Sequence, residues 1–300
     1  MAAETTQLGF IGLGVMGEPM CRNLVQKSGA RVMAYDRDPA PLERLREHGA
    51  QACGQLREAV EGSSIIFLSL PSGEVVREVA LGDGGLLDCA TRGQIIVDTS
   101  TSPVASTREL AERFGERGVA FIDAPVARTR AAAEAGALSV MVGADPEVFE
   151  RVRPCIATFA TDISLCGPVG CGQVVKILNN MVLFETVMAL SEAKAIGERA
   201  GVPADLLFDV LSKGSADSFA LRNHGMKAIV PDEFPLRAFS TTYARKDLRY
   251  ALELAAQTGV DARGAQTVDG WLAAAIEAGE GDNYFPVIAR RIAASARRSQ

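Results

Sequence analysis

The feature that most constrains this chain is a run of three glycines, Gly12-x-Gly14-x-x-Gly17, directly after the apolar segment Leu8–Ile11 and at the head of a helical stretch, Val15–Lys27. In that context a strand, a tight turn and a helix follow one another, and each glycine has its own physical task. Gly12 permits the turn, Gly14 lets the backbone approach a pyrophosphate, and Gly17 lets the helix pack closely on the strand. The N–H groups of the helix N-terminus, which Val15 and Met16 lead into, then favour an anion. A second apolar run, Arg31–Tyr35, is followed by Asp36, nineteen positions after Gly17. A carboxylate there accepts bonds from ribose hydroxyls and repels a 2′-phosphate, so NAD is the expected cofactor. NADP is the alternative, because the next residue, Arg37, has a guanidinium suited to holding a phosphate or lying against adenine, or to facing solvent.

The first half of the chain continues to alternate short apolar runs with helical stretches, the signature of a parallel sheet covered by helices. Strands are expected at Leu8–Ile11, Arg31–Tyr35, Ile65–Leu70, Ile95–Asp98, Ala120–Ile122 and Leu138–Val142. Helices are expected at Val15–Lys27, Pro41–Glu47, Glu74–Leu81, Pro103–Gly118 and Pro146–Val152. Beyond Cys166–Gly172 only helices follow, at Gln173–Ala200, Ala204–Ser212, Ala244–Thr258, Ala262–Ala278 and Tyr284–Ala296, the last running into an Arg297-Arg298 pair. The expected architecture is an α/β, doubly wound Rossmann-type sheet over residues 1–165, followed by an all-helical domain over 166–300 for substrate and oligomerisation.

The segment Gln173–Ala200 is apolar nearly all round, a profile of helices buried in a core or in an oligomer interface. Lys176 and Asn180 interrupt it, four residues apart and so on one face. Polar groups in such a setting line a cavity or find partners, because leaving them buried and unpaired is costly.

Composition narrows the function. Three hundred residues, 48% of them hydrophobic, suit two domains of roughly 150 residues. A net charge of −6 and an isoelectric point near 5.2 argue against a nucleic-acid surface, which needs a basic stripe. The opening residues have no basic, apolar leader pattern, and no apolar run approaches the roughly 18 residues of a span, so no membrane partner is expected. Six scattered cysteines without a C-x-x-C pair read as free thiols of a cytoplasmic protein, and with only His48 and His224 as histidines no metal is expected.

Five ordered motifs resemble the β-hydroxyacid dehydrogenase family, which includes 3-hydroxyisobutyrate dehydrogenases and tartronate semialdehyde reductases. They are Gly9-Phe-Ile-Gly12-Leu-Gly14-Val-Met-Gly17, Asp98-Thr-Ser-Thr101-Ser-Pro103, Asp123-Ala-Pro-Val126, Gly167-Pro-Val-Gly170-Cys-Gly172-Gln-Val-Val-Lys176-Ile-Leu-Asn179-Asn180 and Lys246-Asp247-Leu248. The resemblance implies a Rossmann domain joined through a long helix to an all-helical one, assembled as a homodimer or homotetramer. It implies that Lys176 is catalytic and Asn180 positions substrate. Thr101, Leu70 and Pro71 fall at the cofactor side, Phe239 near the substrate, and Lys246 with Asp247 at the cofactor edge. Phe239 also reads as ordinary core, and Lys246-Asp247 as a solvated helix start. The implied chemistry needs such a lysine: hydride removal from an alcohol requires a group to take the hydroxyl proton, and reduction of an aldehyde requires one to give it. Desolvation in an apolar helix would lower the pKa of Lys176 toward that use.

One departure bears on the substrate. Where the family pattern follows Asp-Ala-Pro-Val with Ser-Gly-Gly, this chain has Ala127-Arg128-Thr129-Arg130. The serine that bonds a substrate carboxylate is absent, while Arg128 offers a forked anion clamp and Thr129 a hydroxyl. The loop resembles that of sulfolactaldehyde reductases, though Ala127 and Arg130 differ from that branch. The expected reaction is hydride transfer between nicotinamide and a small anionic β-hydroxy acid or its semialdehyde, sulfolactaldehyde-type or, alternatively, of the 3-hydroxyisobutyrate or tartronate semialdehyde kind. Retention of Lys176 argues against the imine reductases, and the short second domain against 6-phosphogluconate dehydrogenases. A non-catalytic dinucleotide-binding scaffold is the alternative of a different class.

Overall fold

The computed structural model describes residues 6–236 and 238–295; Ala296 and the Arg297-Arg298 pair lie outside them. The N-terminal unit opens with β1 (Gln7–Ile11), α1 (Gly17–Lys27), β2 (Arg31–Tyr35), α2 (Pro39–Arg46), β3 (Gln51–Ala52), α3 (Leu56–Val60) and β4 (Ile65–Leu68). It continues with α4 (Gly73–Leu81), α5 (Leu86–Cys89), β5 (Ile95–Asp98), α6 (Val104–Gly115), β6 (Ala120–Asp123), β7 (Val126–Ala127) and α7 (Arg130–Ala135), and ends with β8 (Leu138–Gly143), α8 (Pro146–Ile156) and β9 (Ala160–Gly167). The strands lie in the order β3-β2-β1-β4-β5-β6-β8-β7, with β9 beside β8. From β3 to β6 all pairs are parallel.

This is the doubly wound arrangement expected. β4 and β5 are buried along their whole length, as strands covered by helices on both faces must be. After β1 the chain first builds outward to β2 and β3, then returns to place β4 on the other side of β1. The crevice at the carboxyl ends of β1 and β4 is therefore the switch point where such sheets take their ligands.

The chain divides into compact units between Lys176 and Ile177, inside the long helix rather than at the expected 165/166. The expected join falls inside β9, an unexpected strand parallel to β8. Half of its residues are exposed and only Ala160 is buried, so it lacks the alternation that marks a strand from sequence. β7 and the short helices α3, α5 and α7 likewise carry too few residues for a periodic signal.

The C-terminal unit takes up α9 (Cys171–Arg199) from Ile177 onward and adds α10 (Ala204–Leu211), a π-helix at Leu221–Ile229, α11 (Thr241–Thr258), α12 (Arg263–Glu277), a 3-10 turn at Phe285–Val287 and α13 (Ile288–Ser295). Its core gathers Phe184, Val187, Phe208, Leu248, Leu272 and Phe285. The single helix expected at Tyr284–Ala296 is broken by that 3-10 turn, at Pro286. The π-helix was not foreseen; Gly225 within it makes room for Phe208, whose ring would lie 2.7 Å from a Cβ there.

α9 is not buried all round. Ile177, Phe184 and Val187 are fully buried, whereas Val182 and Ile196 are 58% and 67% exposed and Val175 and Leu178 also face outward. Among the described residues it is the one helix long and apolar enough to cross a membrane by length and composition. Polar Lys176, Asn179 and Asn180 interrupt it, and its buried face belongs to the core of its own unit.

Candidate active site

The three glycines at the switch point behave differently, each as its task requires. Gly12 has φ +91°, and a Cβ there would lie 2.3 Å from the carbonyl oxygen of Ser69. A Cβ at Gly17 would lie 2.0 Å from the carbonyl oxygen of Gly12, so helix and turn touch backbone to backbone. Gly14 faces open space, with nothing within 4 Å of a Cβ. Met16 caps α1 without a side-chain bond, and the neighbouring Val15 is 59% exposed. Open backbone at Gly14 and an uncapped helix start fit a dinucleotide pyrophosphate.

Asp36 is fixed beside this loop. Its Oδ2 accepts the N–H of Leu13 at 2.5 Å and its Oδ1 the N–H of Asp38 at 2.8 Å, while Arg37 is exposed. Across the crevice, the backbone N–H of Leu70 donates to Ser100 Oγ at 2.9 Å, and the side chain of Leu70 lies against Gly12. Pro71 follows, exposed. Val15, Met16, Leu70 and Pro71 thus frame the glycine loop within one unit.

Thr101 is half-buried between two buried serines. Asp98, fully buried at the end of β5, accepts the Ser100 N–H at 2.9 Å and the Ser102 hydroxyl at 3.1 Å. Its neighbour in register, Asp123 at the end of β6, is fully buried too and accepts the N–H groups of Gly170 and Gln173, both at 2.7 Å. Burial pushes each carboxyl up to about 6, against the lowering effect of these donors. Gln173, on the first turn of α9, closes the arrangement: its Oε1 accepts the Ser102 N–H at 3.1 Å and its Nε2 donates to the Ser100 carbonyl at 2.8 Å. Lys176 follows three residues later, half-buried.

In the C-terminal unit Asn180 is buried, and its Nδ2 donates to Asp247 Oδ2 at 2.8 Å while its Oδ1 accepts from Asn179 at 3.2 Å. Lys246 Nζ lies 3.1 Å from Asp247 Oδ1 and above the rings of Tyr243 and Tyr250, 5.3 and 5.4 Å from their centroids. Asp247 is buried rather than a solvated helix start. Phe239 packs on Phe184 and Phe285 at the margin of the core and is only partly buried. His224 is bonded through Nδ1 to the Tyr284 hydroxyl, and burial lowers its pKa to about 4, which holds the imidazole neutral and suits a packing role.

Comparison with known proteins decides the family. Residues 7–167 match the model described as the NAD binding domain of 6-phosphogluconate dehydrogenase, and residues 170–292 the model described as the NAD-binding domain of NADP-dependent 3-hydroxyisobutyrate dehydrogenase. A 2-(hydroxymethyl)glutarate dehydrogenase of Eubacterium barkeri is 37% identical over 83% of this chain and 82% of its own. The 2-hydroxy-3-oxopropionate reductase of Escherichia coli is 35% identical over 83% and 84%. The chain belongs to the β-hydroxyacid dehydrogenase family. Among solved structures, the 3-hydroxyisobutyrate dehydrogenase of Mycobacterium tuberculosis, with L-serine, superposes with a TM-score of 0.87 at 31% identity, over 96% of this chain and 99% of that one. This β-hydroxyacid dehydrogenase is an NAD(P)-dependent enzyme.

Arg128 and Thr129, read from the sequence as the anion-binding pair of the dehydrogenase, both make bonds within the N-terminal unit. Arg128 Nη1 donates to the Ala137 carbonyl at 2.7 Å and to Thr161 Oγ1 at 3.0 Å, and Nη2 to Asp162 Oδ2 at 2.6 Å. Its guanidinium thus links the loop to the unforeseen strand β9, and Thr129 Oγ1 caps α7 by accepting the Ala132 N–H at 3.4 Å. Arg128 also has φ +86°, a backbone that suits glycine, the residue of the common family pattern at this place. Sequence reasoning missed the roles of Asp98, Asp123 and Gln173. All three stand inside recognised motifs, but the partners of Asp123 lie 47 and 50 residues away, and only the sheet brings them together.

Proposed function

We propose that this dehydrogenase uses NAD to interconvert a small carboxylate-bearing β-hydroxy acid and its semialdehyde, with Lys176 carrying the hydroxyl proton. One observation carries this reading: Gln173, three residues ahead of Lys176 on α9, is hydrogen-bonded to both residues that flank Thr101. The proton-carrying helix is thereby tied to the strand-end crevice where the glycine loop and Asp36 stand. When bound, NAD supplies or accepts the hydride. Lys176 Nζ takes the proton as the alcohol is oxidised and returns it to the developing alkoxide in the reverse direction. Asn180, one turn further along α9, orients the substrate. Asp36, held by two backbone donors, favours NAD over NADP by bonding ribose hydroxyls and repelling a 2′-phosphate.

The engagement of Arg128 by Asp162 favours a carboxylate substrate over a sulfonated one, since the cationic fork expected to grip a sulfonate is already bonded. The compounds named for the relatives, 3-hydroxyisobutyrate, 2-hydroxy-3-oxopropionate and 2-(hydroxymethyl)glutarate, are the first to try. The apolar residues Val175, Leu178 and Val182 exposed on α9 support assembly with further copies of the chain as a homodimer or homotetramer, and the free thiols suit a cytoplasmic setting. The test is a cofactor-coupled assay of these acids beside a sulfonated aldehyde, with the parent and Lys176→Ala. Carboxylates should turn over, and the variant should lose about a hundredfold or more while still binding cofactor. Turnover of the sulfonated aldehyde alone, or near-normal turnover by Lys176→Ala, would overturn the proposal.

A further inference from the structure

We infer that Asp123 is a positioning residue for Lys176, acting through the first turn of α9; the inference rests on the reading of Lys176 as the proton carrier. Both carboxylate oxygens of Asp123 are committed to main-chain donors where α9 begins, Oδ1 to Gly170 and Oδ2 to Gln173. These belong to the N–H groups that a helix start leaves without intrahelical partners. A carboxylate there is also favoured by the helix dipole. No other side chain is seen to cap the Gly170 and Gln173 donors among the described residues.

The backbone around the carboxylate is shaped to receive it. A Cβ at Gly143 would lie 2.4 Å from Asp123 Oδ1, and one at Gly172 would lie 2.8 Å from Oδ2 and 2.3 Å from the Met141 carbonyl oxygen. Gly170 takes φ +93° to turn its N–H toward the same group. Asp123 itself ends β6, held in register with β5 through Asp98. A rigid path therefore runs from the sheet through this carboxylate to the helix start, and the Gln173 side chain adds a second strut to the loop around Thr101. Lys176 lies in the next turn of the same helix, so a shift of the first turn is passed on to its ammonium group. A displacement of about 1 Å at a reacting group can cost roughly a hundredfold in rate.

The experiment is Asp123→Asn in the full-length enzyme with NAD(H). Asparagine keeps one acceptor oxygen but turns an NH2 toward the second donor, so one N–H is left unpaired. Turnover should fall about tenfold or more, while the substrate KM and the NADH affinity from fluorescence titration stay within about threefold, the pattern of lost positioning. Val152→Ala, buried on α8 and outside the hydrogen bonds of Asp123, supplies a comparable loss of thermal midpoint and should leave turnover within about twofold. Asp123→Ser, smaller and still able to accept one bond, is the second variant should the first not fold. Parent-like turnover in the Asp123 variants, or an equal fall in Val152→Ala, overturns the inference alone. Full activity of Lys176→Ala overturns the reading of Lys176, and this inference with it.

Discussion

Asn180 and Asp247, 67 residues apart in the chain, meet through a 2.8 Å hydrogen bond from the amide Nδ2 to the carboxylate Oδ2. Both are buried, and the same carboxylate faces the ammonium of Lys246. Asp247 therefore sets which end of the Asn180 amide points where. Asp247→Ala should remove that orientation, with a coupling between Asp247→Ala and Asn180→Ala of about 1–3 kcal/mol in a double-mutant cycle on kcat/KM. Strictly additive losses would show that the two residues act independently.

Asp36 makes a prediction about cofactor choice. Its carboxylate is fixed by the N–H groups of Leu13 and Asp38, so it presents negative charge at a defined point beside the exposed Arg37. Asp36→Ser should lower kcat/KM with NAD by about tenfold and raise the relative efficiency with NADP, because one charge-assisted bond is lost and a repulsion relieved. Kinetics with both cofactors check this. A parent that already prefers NADP would show that Arg37 outweighs the carboxylate.

Asp98 should limit stability at neutral pH. Its carboxyl is raised from 3.8 to about 6, chiefly by burial and in spite of its bonds to Ser100 and Ser102. The folded state thus binds its proton more tightly than the unfolded state does. The associated stability is fully present below about 3.8 and is lost as pH rises through about 6. Asn fits the same bonds, since Oδ1 accepts the Ser100 N–H and Nδ2 donates to a rotated Ser102 hydroxyl. Asp98→Asn should therefore raise the thermal midpoint above pH 6 by a few degrees, at about 2–4 °C per kcal/mol, with the gain vanishing near pH 4. A difference that is flat or falling with pH would contradict this.

The parts of the fold legible in the sequence are those where burial is uniform. Leu8–Ile11, β4 and Ile95–Val97 carry no polar side chain, and Gly12, Gly14 and Gly17 follow the first of them at the spacing of a dinucleotide loop. β9 was illegible because Thr161, Asp162 and Ser164 put polar side chains along an exposed edge. Asp123 was visible as a motif letter but not as a helix anchor, because its donors come from a turn that only the closed sheet brings within reach. The bonds of Arg128 were illegible for a related reason: its partners Thr161 and Asp162 lie 33 and 34 residues along the chain, on a strand the sequence does not mark.

Arg128 supports a last prediction, which separates a brace from a substrate clamp by comparing glycine with alanine. A non-glycine residue at φ +86° carries backbone strain of about 1–2 kcal/mol. Arg128→Gly relieves that strain while losing the bonds to Ala137, Thr161 and Asp162. Arg128→Ala loses the same bonds and keeps the strain. The ion pair itself contributes little, because its side chains are 41% and 58% exposed. The glycine variant should therefore be more stable than the alanine variant by about 1 kcal/mol, after allowing for the greater chain entropy of glycine. Its turnover of carboxylate aldehydes should stay near that of the parent. Thermal midpoints and kcat/KM of the three proteins, measured on carboxylated and sulfonated aldehydes, check both halves. If glycine and alanine variants lose anionic substrates equally and by tenfold or more, the guanidinium leaves Asp162 to bind substrate, and the clamp reading returns.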